Sequence, residues 1–311
     1  MRNQSVEEFF LLGFDVHSQL KCPIFLLFLM IYIITLTGNI VIIVLVYIHV
    51  HLHCPMFIFL GNLSFSDIIF TTNIVPKMLS IILGEGGTIS FHGCLSQFYF
   101  YAFVGSTECF LLTVMSYDRY LAICHPLHYN FIMDIKLQKC LLVLSWLPVS
   151  IVTSMRIILI RQLNFCGPNV IDHFFCDLDP ILELSCSDTS IIKTEVFAAS
   201  AHVLILPFLF IITTYVRIIH AILRIPSIHG RQKTFSTCSS HLIVVCTYFL
   251  TLITVYGIPS KTHSSAATKV RSLLYIVLTP MFNPIVYSLR NKEIRYAFQK
   301  LKTSIKLLRF M

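Results

Sequence analysis

The chain has 311 residues and a formal net charge of +8, with 56% hydrophobic and only 12% charged residues. A soluble globular protein is about half apolar and a quarter charged, whereas here the apolar residues also come in long blocks. These proportions exclude most soluble proteins and indicate an integral membrane protein, whose positive charge we expect to face a lipid bilayer and not nucleic acid.

Seven blocks of about 20 or more mostly apolar residues are long enough to cross a hydrocarbon core of about 30 Å as helices. They run over residues 24–48, 56–82, 95–123, 140–160, 196–222, 236–258 and 270–290. The sequence therefore predicts an all-α membrane protein: a seven-transmembrane helix bundle at 24–290, an N-terminal segment at 1–23 and a tail at 291–311.

The basic residues predict how the bundle is oriented. Lys and Arg concentrate on the side that holds the C-terminus, and short loops rich in these residues stay in the cytoplasm. We therefore expect a multi-pass plasma-membrane protein with an extracellular N-terminus and a cytoplasmic C-terminus. No basic segment leads into an apolar one near the N-terminus, so we expect no cleavable signal peptide. Asn3 opens an Asn-Gln-Ser pattern and is a candidate glycosylation site on the outer side.

Among the polar side chains inside predicted spans, four are candidates for one polar centre, because a polar group in hydrocarbon is costly unless it is paired. Asn39 lies in the first span, Asp67 in the second, Glu108 in the third and Asn283 in the seventh. We expect them to meet in the bundle. Two facing carboxylates, Asp67 and Glu108, favour either a bound cation or one protonated acid.

The third span ends in the run from Met115 to Tyr129, which contains Asp118, Arg119 and Tyr120. Ionisable residues at a membrane edge usually mark a functional site. Arginine stays charged and offers forked donors, so Arg119 can pair with Asp118 in one state and be released in another.

Four cysteines lie on the predicted outer side. Cys94 begins the third span, and Cys166, Cys176 and Cys186 lie in the long loop after the fourth. Four cysteines allow three pairings, and the residues alone leave the choice open.

Two clusters have metal-ligand residue types, one at residues 173–177 and one at residues 49–54. A disulfide through Cys176 would consume the thiolate of the first, and alternating histidines in a turn do not have to converge on one ion. We predict no metal centre at either place.

Several runs together resemble the olfactory receptor family of rhodopsin-like G-protein-coupled receptors, and the similarity covers about residues 5 to 300. Besides the run from Met115 to Tyr129, the runs at 55–67, 233–242 and 280–291 carry this resemblance.

The resemblance implies several assignments. Cys94 pairs with Cys176 and Cys166 with Cys186, with Cys94–Cys186 as the alternative. A sodium ion binds at Asp67 and Glu108; apart from this ion we expect no cofactor. A G-protein switch is formed by Asp118, Arg119, Tyr120 and Tyr287, and the partner is a heterotrimeric stimulatory G protein that raises cyclic AMP.

A ligand pocket is predicted from residues in the extracellular halves of three helices, whose helical spacing puts them on one face of each helix. The candidates are Tyr101, Ala102, Gly105, Ser106 and Cys109 on the third helix, Ala199, Ser200 and Val203 on the fifth, and Phe249, Leu252, Ile253 and Tyr256 on the sixth. None is charged, and a buried unpaired charge is costly, so we predict a small, neutral, mainly apolar odorant. The alternative is that this face is ordinary packing core.

The sixth span departs from the family pattern. Tyr248-Phe249-Leu250 stands where Phe-Tyr-Gly is usual, which predicts the loss of a tyrosine hydroxyl from the pocket floor.

At the end of the chain, basic and apolar residues alternate at helical spacing over about 291–308. This pattern predicts a short amphipathic C-terminal helix on the anionic inner leaflet.

Other function classes fit less well. The sequence has no repeat typical of a transporter, no filter typical of a channel and no nucleophile with a base typical of an enzyme. The remaining alternative is a receptor-like membrane protein with a non-olfactory ligand or without signalling output.

Overall fold

The structure, a computed structural model, describes residues 6–256 and 265–309. In these residues seven helices are long and apolar enough to cross a membrane, which confirms the predicted bundle. Their bounds are α1 Ser18–Ile48, α2 Pro55–Leu83, α3 Phe91–Cys124, α5 Ile135–Arg161, the joined helices α7 Ser190–Ser200 and α8 Leu206–Leu223, α9 Ile228–Tyr256, and α10 Ser265–Arg290. The glycosylation candidate Asn3 lies outside the described residues.

Most of these helices extend beyond the apolar blocks of the sequence, and in α3 and α5 a polar side-chain cap sets the first turn. Ser90 accepts a hydrogen bond from the amide of Gly93 and starts α3. Asp134 accepts one from the amide of Leu137 and starts α5. A side-chain oxygen at this position satisfies an amide that has no partner in the first turn, so hydropathy alone underestimates helix length.

The chain ends in an amphipathic helix, α11 Lys292–Arg309. Asn291 caps it by accepting hydrogen bonds from the amides of Glu293 and Ile294. Ile294 and Ala297 are buried against the bundle, whereas Lys300 is exposed. This arrangement confirms the predicted C-terminal helix.

A small sheet covers one end of the bundle, and the sequence did not predict it. Strand β1 Glu8–Leu11 lies between β2 Gly87–Ser90, to which it is antiparallel, and β3 Val170–Ile171, to which it is parallel. Phe9 and Leu11 are buried beneath the sheet. Residues 8–11 of the N-terminal segment are therefore part of the packed structure.

Two disulfides lie at this same end, which we call the disulfide end. Cys94 at the start of α3 is bonded to Cys176, and Cys166 is bonded to Cys186. The first bond ties the loop between α5 and α7 to the bundle across 82 residues of sequence. It brings the short helix α6 Leu178–Glu183 over the ends of the helices.

A proline inside a helix leaves a backbone carbonyl without its helical donor, since proline has no amide hydrogen to offer the residue four positions earlier. At two prolines the carbonyl four residues earlier bonds to a side chain of another helix. Pro284 frees the carbonyl of Pro280, which accepts a hydrogen bond from Asn39 of α1 at 3.2 Å. The Cβ of an alanine at Gly38 would lie 2.9 Å from Pro284, so glycine permits this close approach of α1 and α10.

The second case is Pro207, which frees the carbonyl of Val203. That carbonyl accepts a hydrogen bond from the Cys109 thiol of α3 at 2.8 Å. Between α7 and α8 the chain forms a π-helical turn, Ala201–Ile205, in which the amide of Leu206 bonds to the carbonyl of Ala201. This turn widens the helix one residue before the proline.

We predict that Cys94→Ser and Cys176→Ser each abolish delivery to the cell surface, because either change releases the loop that carries β3 and α6. Surface staining measures the loss, and peptide mapping of the non-reduced protein tests the pairing. Cys140→Ser is the matched control, since Cys140 is an exposed free thiol. Recovery of a Cys94–Cys186 peptide would contradict the assigned pairing.

Candidate functional site

A partly open space of about 130 Å³ lies beneath the loop at the disulfide end, and we call it the inner cavity. It is bounded by α3, α5, α7, the π-helical turn, α9 and α10, with the start of α6 as its roof. Its lining consists of Phe98, Tyr101, Ala102, Gly105, Ser106, Arg156, Asp177, Leu178, Val196, Ala199, Ser200, Val203, Leu204, Tyr248, Leu252 and Tyr275. The lining is mainly apolar and carries several hydroxyl groups.

Most of the predicted pocket residues lie at this cavity: Tyr101, Ala102, Gly105, Ser106, Ala199, Ser200, Val203 and Leu252. The structure places three others elsewhere. Cys109 donates its hydrogen bond to the Val203 carbonyl, Phe249 packs on Phe208 with ring centres 5.0 Å apart, and Ile253 is 54% exposed on the outer face of α9. The side chain of Tyr256 lies outside the described residues.

Two charged residues at the cavity were missed by the sequence analysis, which predicted an uncharged lining. Arg156 of α5 forms a forked pair with Glu195 of α7, at 2.7 and 2.9 Å. The signal was present, because Arg156 lies inside the fourth predicted span and an intramembrane cation suggests a functional site. Since Glu195 balances its charge, the cavity wall carries a neutral pair here.

The second missed residue is Asp177, next to the disulfide. It accepts a hydrogen bond from the amide of Leu178. Burial raises the pKa of Asp177 to about 6, although this hydrogen bond favours the carboxylate. The side chain is placed over the cavity by the disulfide at Cys176, a long-range constraint that local sequence patterns do not show.

The floor of the cavity retains a tyrosine hydroxyl, contrary to the expected loss. Tyr248 lines the cavity, and its hydroxyl donates a 2.5 Å hydrogen bond to the carbonyl of Gly105 on α3. A Cβ at Gly105 would lie 2.8 Å from the hydroxyl oxygen of Tyr275. Glycine at this position therefore lets α9 and α10 bring two tyrosines against α3, and Tyr248 supplies the hydroxyl that Phe249 lacks.

The polar side chains in the middle of the bundle meet only in part. Asn283 donates to both carboxylate oxygens of Asp67, at 3.1 and 2.9 Å. Asn39 binds the Pro280 carbonyl instead of the carboxylate, because the seventh-helix proline leaves that acceptor open. Glu108 is buried and interacts electrostatically with Asp67. Neither carboxylate oxygen of Glu108 has a hydrogen-bond partner among the described residues.

At the opposite end of the bundle, Arg119 is paired with Asp118 through two donors of its guanidinium. Asp118 is fully buried and also accepts a 2.7 Å hydrogen bond from Tyr129 of the short helix α4 Tyr129–Ile132. Burial and the neighbouring Asp118 raise the pKa of Tyr129, so its hydroxyl remains a donor. We call this region the Arg119 end.

The other two predicted switch residues lie at the same end but differ in their contacts. The hydroxyl of Tyr120 lies 3.0 Å from His125. Tyr287 is buried, and its hydroxyl has no hydrogen-bond partner among the described residues. His241 of α9 was not predicted; it bridges Tyr215 of α8 and the carbonyl of Leu112 on α3.

The bundle has the fold of rhodopsin. It superposes on squid rhodopsin with a TM-score of 0.72 at 17% identity, covering 94% of this chain and 88% of rhodopsin.

A sequence model of olfactory receptors matches residues 28–304. Human olfactory receptor 11A1 is 46% identical over 299 residues, covering 96% of this chain and 95% of its own. Rat olfactory receptor 1 is 45% identical, with 96% of each chain covered. The chain therefore belongs to the olfactory receptor family, which confirms the resemblance and shows that it is a receptor and not an enzyme.

We predict that Glu195→Gln makes the cavity accept carboxylates, because it leaves the guanidinium of Arg156 without its counter-charge. Leaving one partner of a buried ion pair uncompensated is strongly unfavourable, and a ligand carboxylate would relieve that cost. Responses to matched carboxylic acids and alcohols measure the change. The double variant Arg156→Gln with Glu195→Gln is the control and should not respond to acids. A Glu195→Gln receptor that ignores acids would contradict the charge balance described for this wall.

Proposed function

We propose that this protein is an odorant receptor that binds a small, neutral, mainly apolar compound in the inner cavity. The observation that supports this proposal is the cavity itself. Its lining is mainly apolar and bears hydroxyl groups, its one guanidinium is paired with Glu195, and its one carboxyl, Asp177, accepts a hydrogen bond from the Leu178 amide. A ligand in such a site gains most of its binding free energy from buried apolar surface, at about 25 cal/mol per Å². A few polar groups then fix its orientation.

In the same proposal the N-terminus is extracellular and the Arg119 end faces the cytoplasm. The exposed lysines of α11 then lie at the anionic inner leaflet, where each basic residue contributes about 1 kcal/mol of attraction. A heterotrimeric stimulatory G protein binds at the Arg119 end and raises cyclic AMP. This orientation is supported by the excess of basic residues on the side of the C-terminus.

Coupling between the two ends would run along α9. A ligand in the inner cavity contacts Tyr248 and Leu252 of α9, and two turns further along the same helix His241 joins α9 to α3 and α8. A shift of α9 relative to α3 would disturb these hydrogen bonds near Arg119. Switches of this kind require an element with two arrangements whose balance the ligand changes.

The sodium ion implied by the resemblance fits the residues in the middle of the bundle. Glu108 has two buried carboxylate oxygens without a hydrogen-bond partner among the described residues, and Asp67 lies within its electrostatic range. Oxygen atoms are the ligands that hard cations prefer. In this proposal Asp67 and Glu108 would hold the ion; one shared proton is the alternative.

We predict that Arg119→Ala abolishes the ligand-driven rise in cyclic AMP while surface level stays similar, because the change removes the guanidinium that the proposed switch releases. A cyclic-AMP reporter with parallel surface staining makes the measurement. Lys136→Ala is the control, since Lys136 is exposed in the first turn of α5 at the same end. A full response in Arg119→Ala cells would contradict the role assigned to this residue.

We predict responses to neutral alcohols, ketones, esters or terpenes and none to matched amines. If a hydroxyl orients the ligand, Ser106→Val should lower potency about tenfold, the usual cost of one lost hydrogen bond. The control Thr113→Val removes a hydroxyl of α3 that bonds to its own helix at Cys109. A receptor that answers only to charged compounds would rule out the proposed ligand class.

A further inference from the structure

A second space of about 550 Å³ lies against the outer side of the helices that wall the inner cavity. It runs between the joined helices α7 and α8 on one side and α9 on the other, and we call it the lateral groove. Its lining is mainly apolar, with Phe197, Ile205, Phe208, Phe249 and Ile253, and also includes the charged residues Asp179 and Lys193. Ile205 is 56% and Ile253 54% exposed, so the groove opens on the surface that faces lipid.

The lateral groove and the inner cavity share one wall. Leu178, Val196, Ser200, Leu204 and Leu252 line both spaces. The shared residues come from α6, the fifth span and α9 and form the wall between the two spaces. The two spaces are therefore adjacent, with only these side chains between them.

The π-helical turn of the fifth span lies in this shared wall. In the turn from Ala201 to Ile205, the amide of Leu206 reaches back five residues to the carbonyl of Ala201. A π turn widens the helix and is frequent at functional sites. Leu204, within the turn, and Ser200, immediately before it, both line the two spaces.

The volumes show what each space can hold. An apolar cavity of about 150 Å³ holds one benzene molecule, so the inner cavity, at about 130 Å³, holds a group of about that size. Ligand pockets usually measure about 300–1,000 Å³. The inner cavity alone falls below that range and reaches it only when the lateral groove is added.

We propose that the two spaces form one binding site for an elongated neutral ligand that has a single polar end. The polar end and the first carbons occupy the inner cavity, near Ser106 and Ser200. An unbranched chain longer than about six non-hydrogen atoms, the size of benzene, passes between Leu204 and Leu252 into the lateral groove. This inference rests on the proposed function and specifies its ligand class.

The groove also provides the route by which such a ligand arrives. A long-chain alcohol or ester partitions into the bilayer, and the groove meets the lipid along Ile205 and Ile253. The chain then exchanges lipid contacts for groove contacts, and only the polar end has to cross the shared wall. The competing occupant of the groove is an acyl chain of the bilayer.

The first test compares chain lengths in groove-filling variants. In cells with the cyclic-AMP reporter, Ile253→Trp and Ile205→Trp should each raise the EC50 of 1-decanol about tenfold, since each methylene that loses its contact costs up to about fourfold in affinity. The EC50 of 1-butanol, which fits the inner cavity alone, should change less than about twofold by the same reasoning.

Ile212→Trp is the matched control. Ile212 is an isoleucine of the same span, 43% exposed to lipid, and it does not line the groove. In the Ile212→Trp receptor, the ratio of the decanol EC50 to the butanol EC50 should equal that of the unchanged receptor. If the ratio of the decanol EC50 to the butanol EC50 is the same in the unchanged receptor and in all three variants, the proposed chain site is wrong. The proposed function would remain intact.

The second test does not depend on signalling. The purified receptor in lipid nanodiscs is irradiated with a twelve-carbon primary alcohol that carries a terminal diazirine, and labelled peptides are mapped by mass spectrometry. Labels on residues 196–209 and 249–253 that excess 1-decanol removes support the site. Labels that decanol does not reduce would assign the groove to bilayer lipid and would contradict the proposed ligand site. A receptor that no neutral compound activates would contradict the proposed function, while the labelling still decides the groove.

Discussion

A polar group inside a helix surrounded by lipid must find its partner on another part of the protein, because no water is available there, and this constraint organises the whole bundle. Prolines increase the number of groups that need such a partner, since each frees a carbonyl four residues earlier. The Pro280 carbonyl is satisfied by Asn39 of α1, and the Val203 carbonyl by the Cys109 thiol of α3. Each bond fixes the rotation of one helix against another at a single point. An unmade hydrogen bond at such a place costs about 1–3 kcal/mol, so these contacts determine which side chains are left to face a cavity.

Charged groups obey the same rule, in pairs that either join two helices or lie within one helix. Asp67 is paired with Asn283 across two helices, and Arg156 with Glu195 across another two. Asp118 and Arg119 instead pair with each other along one helix. Because the last pair needs no second helix, its partners remain close when the surrounding helices move, and Arg119 can exchange Asp118 for another acceptor without unfolding anything. The cross-helix pairs hold the bundle together, whereas the Asp118–Arg119 pair lies within one helix, as the proposed switch role requires.

Sequence predicted the spans, the terminal helix and much of the inner cavity because these depend on local periodicity and composition. The outward faces of α3 and the fifth span were identified from helical spacing. The prediction failed where neighbours decide the outcome. Phe249 and Ile253 lie one and five residues after Tyr248, and only the rotation of α9 places Tyr248 inward and Ile253 toward lipid. Asp177 reaches the cavity through a disulfide, and β1 is ordered by strands about 80 and 160 residues away in sequence. The sequence signal that was overlooked is Arg156, a cation within an apolar span.

The fifth span connects the backbone constraint to the ligand. Pro207 removes a helical donor, the Cys109 thiol satisfies the carbonyl that is freed, and the chain forms a π turn immediately before the proline. That turn lies in the wall between the inner cavity and the lateral groove. An ordinary α-helix at this place would keep 3.6 residues per turn and present a narrower surface at Ser200 and Leu204. A fault in helical hydrogen bonding, tolerated because α3 supplies a donor, thus lies in the wall that an elongated ligand would cross in the proposed site.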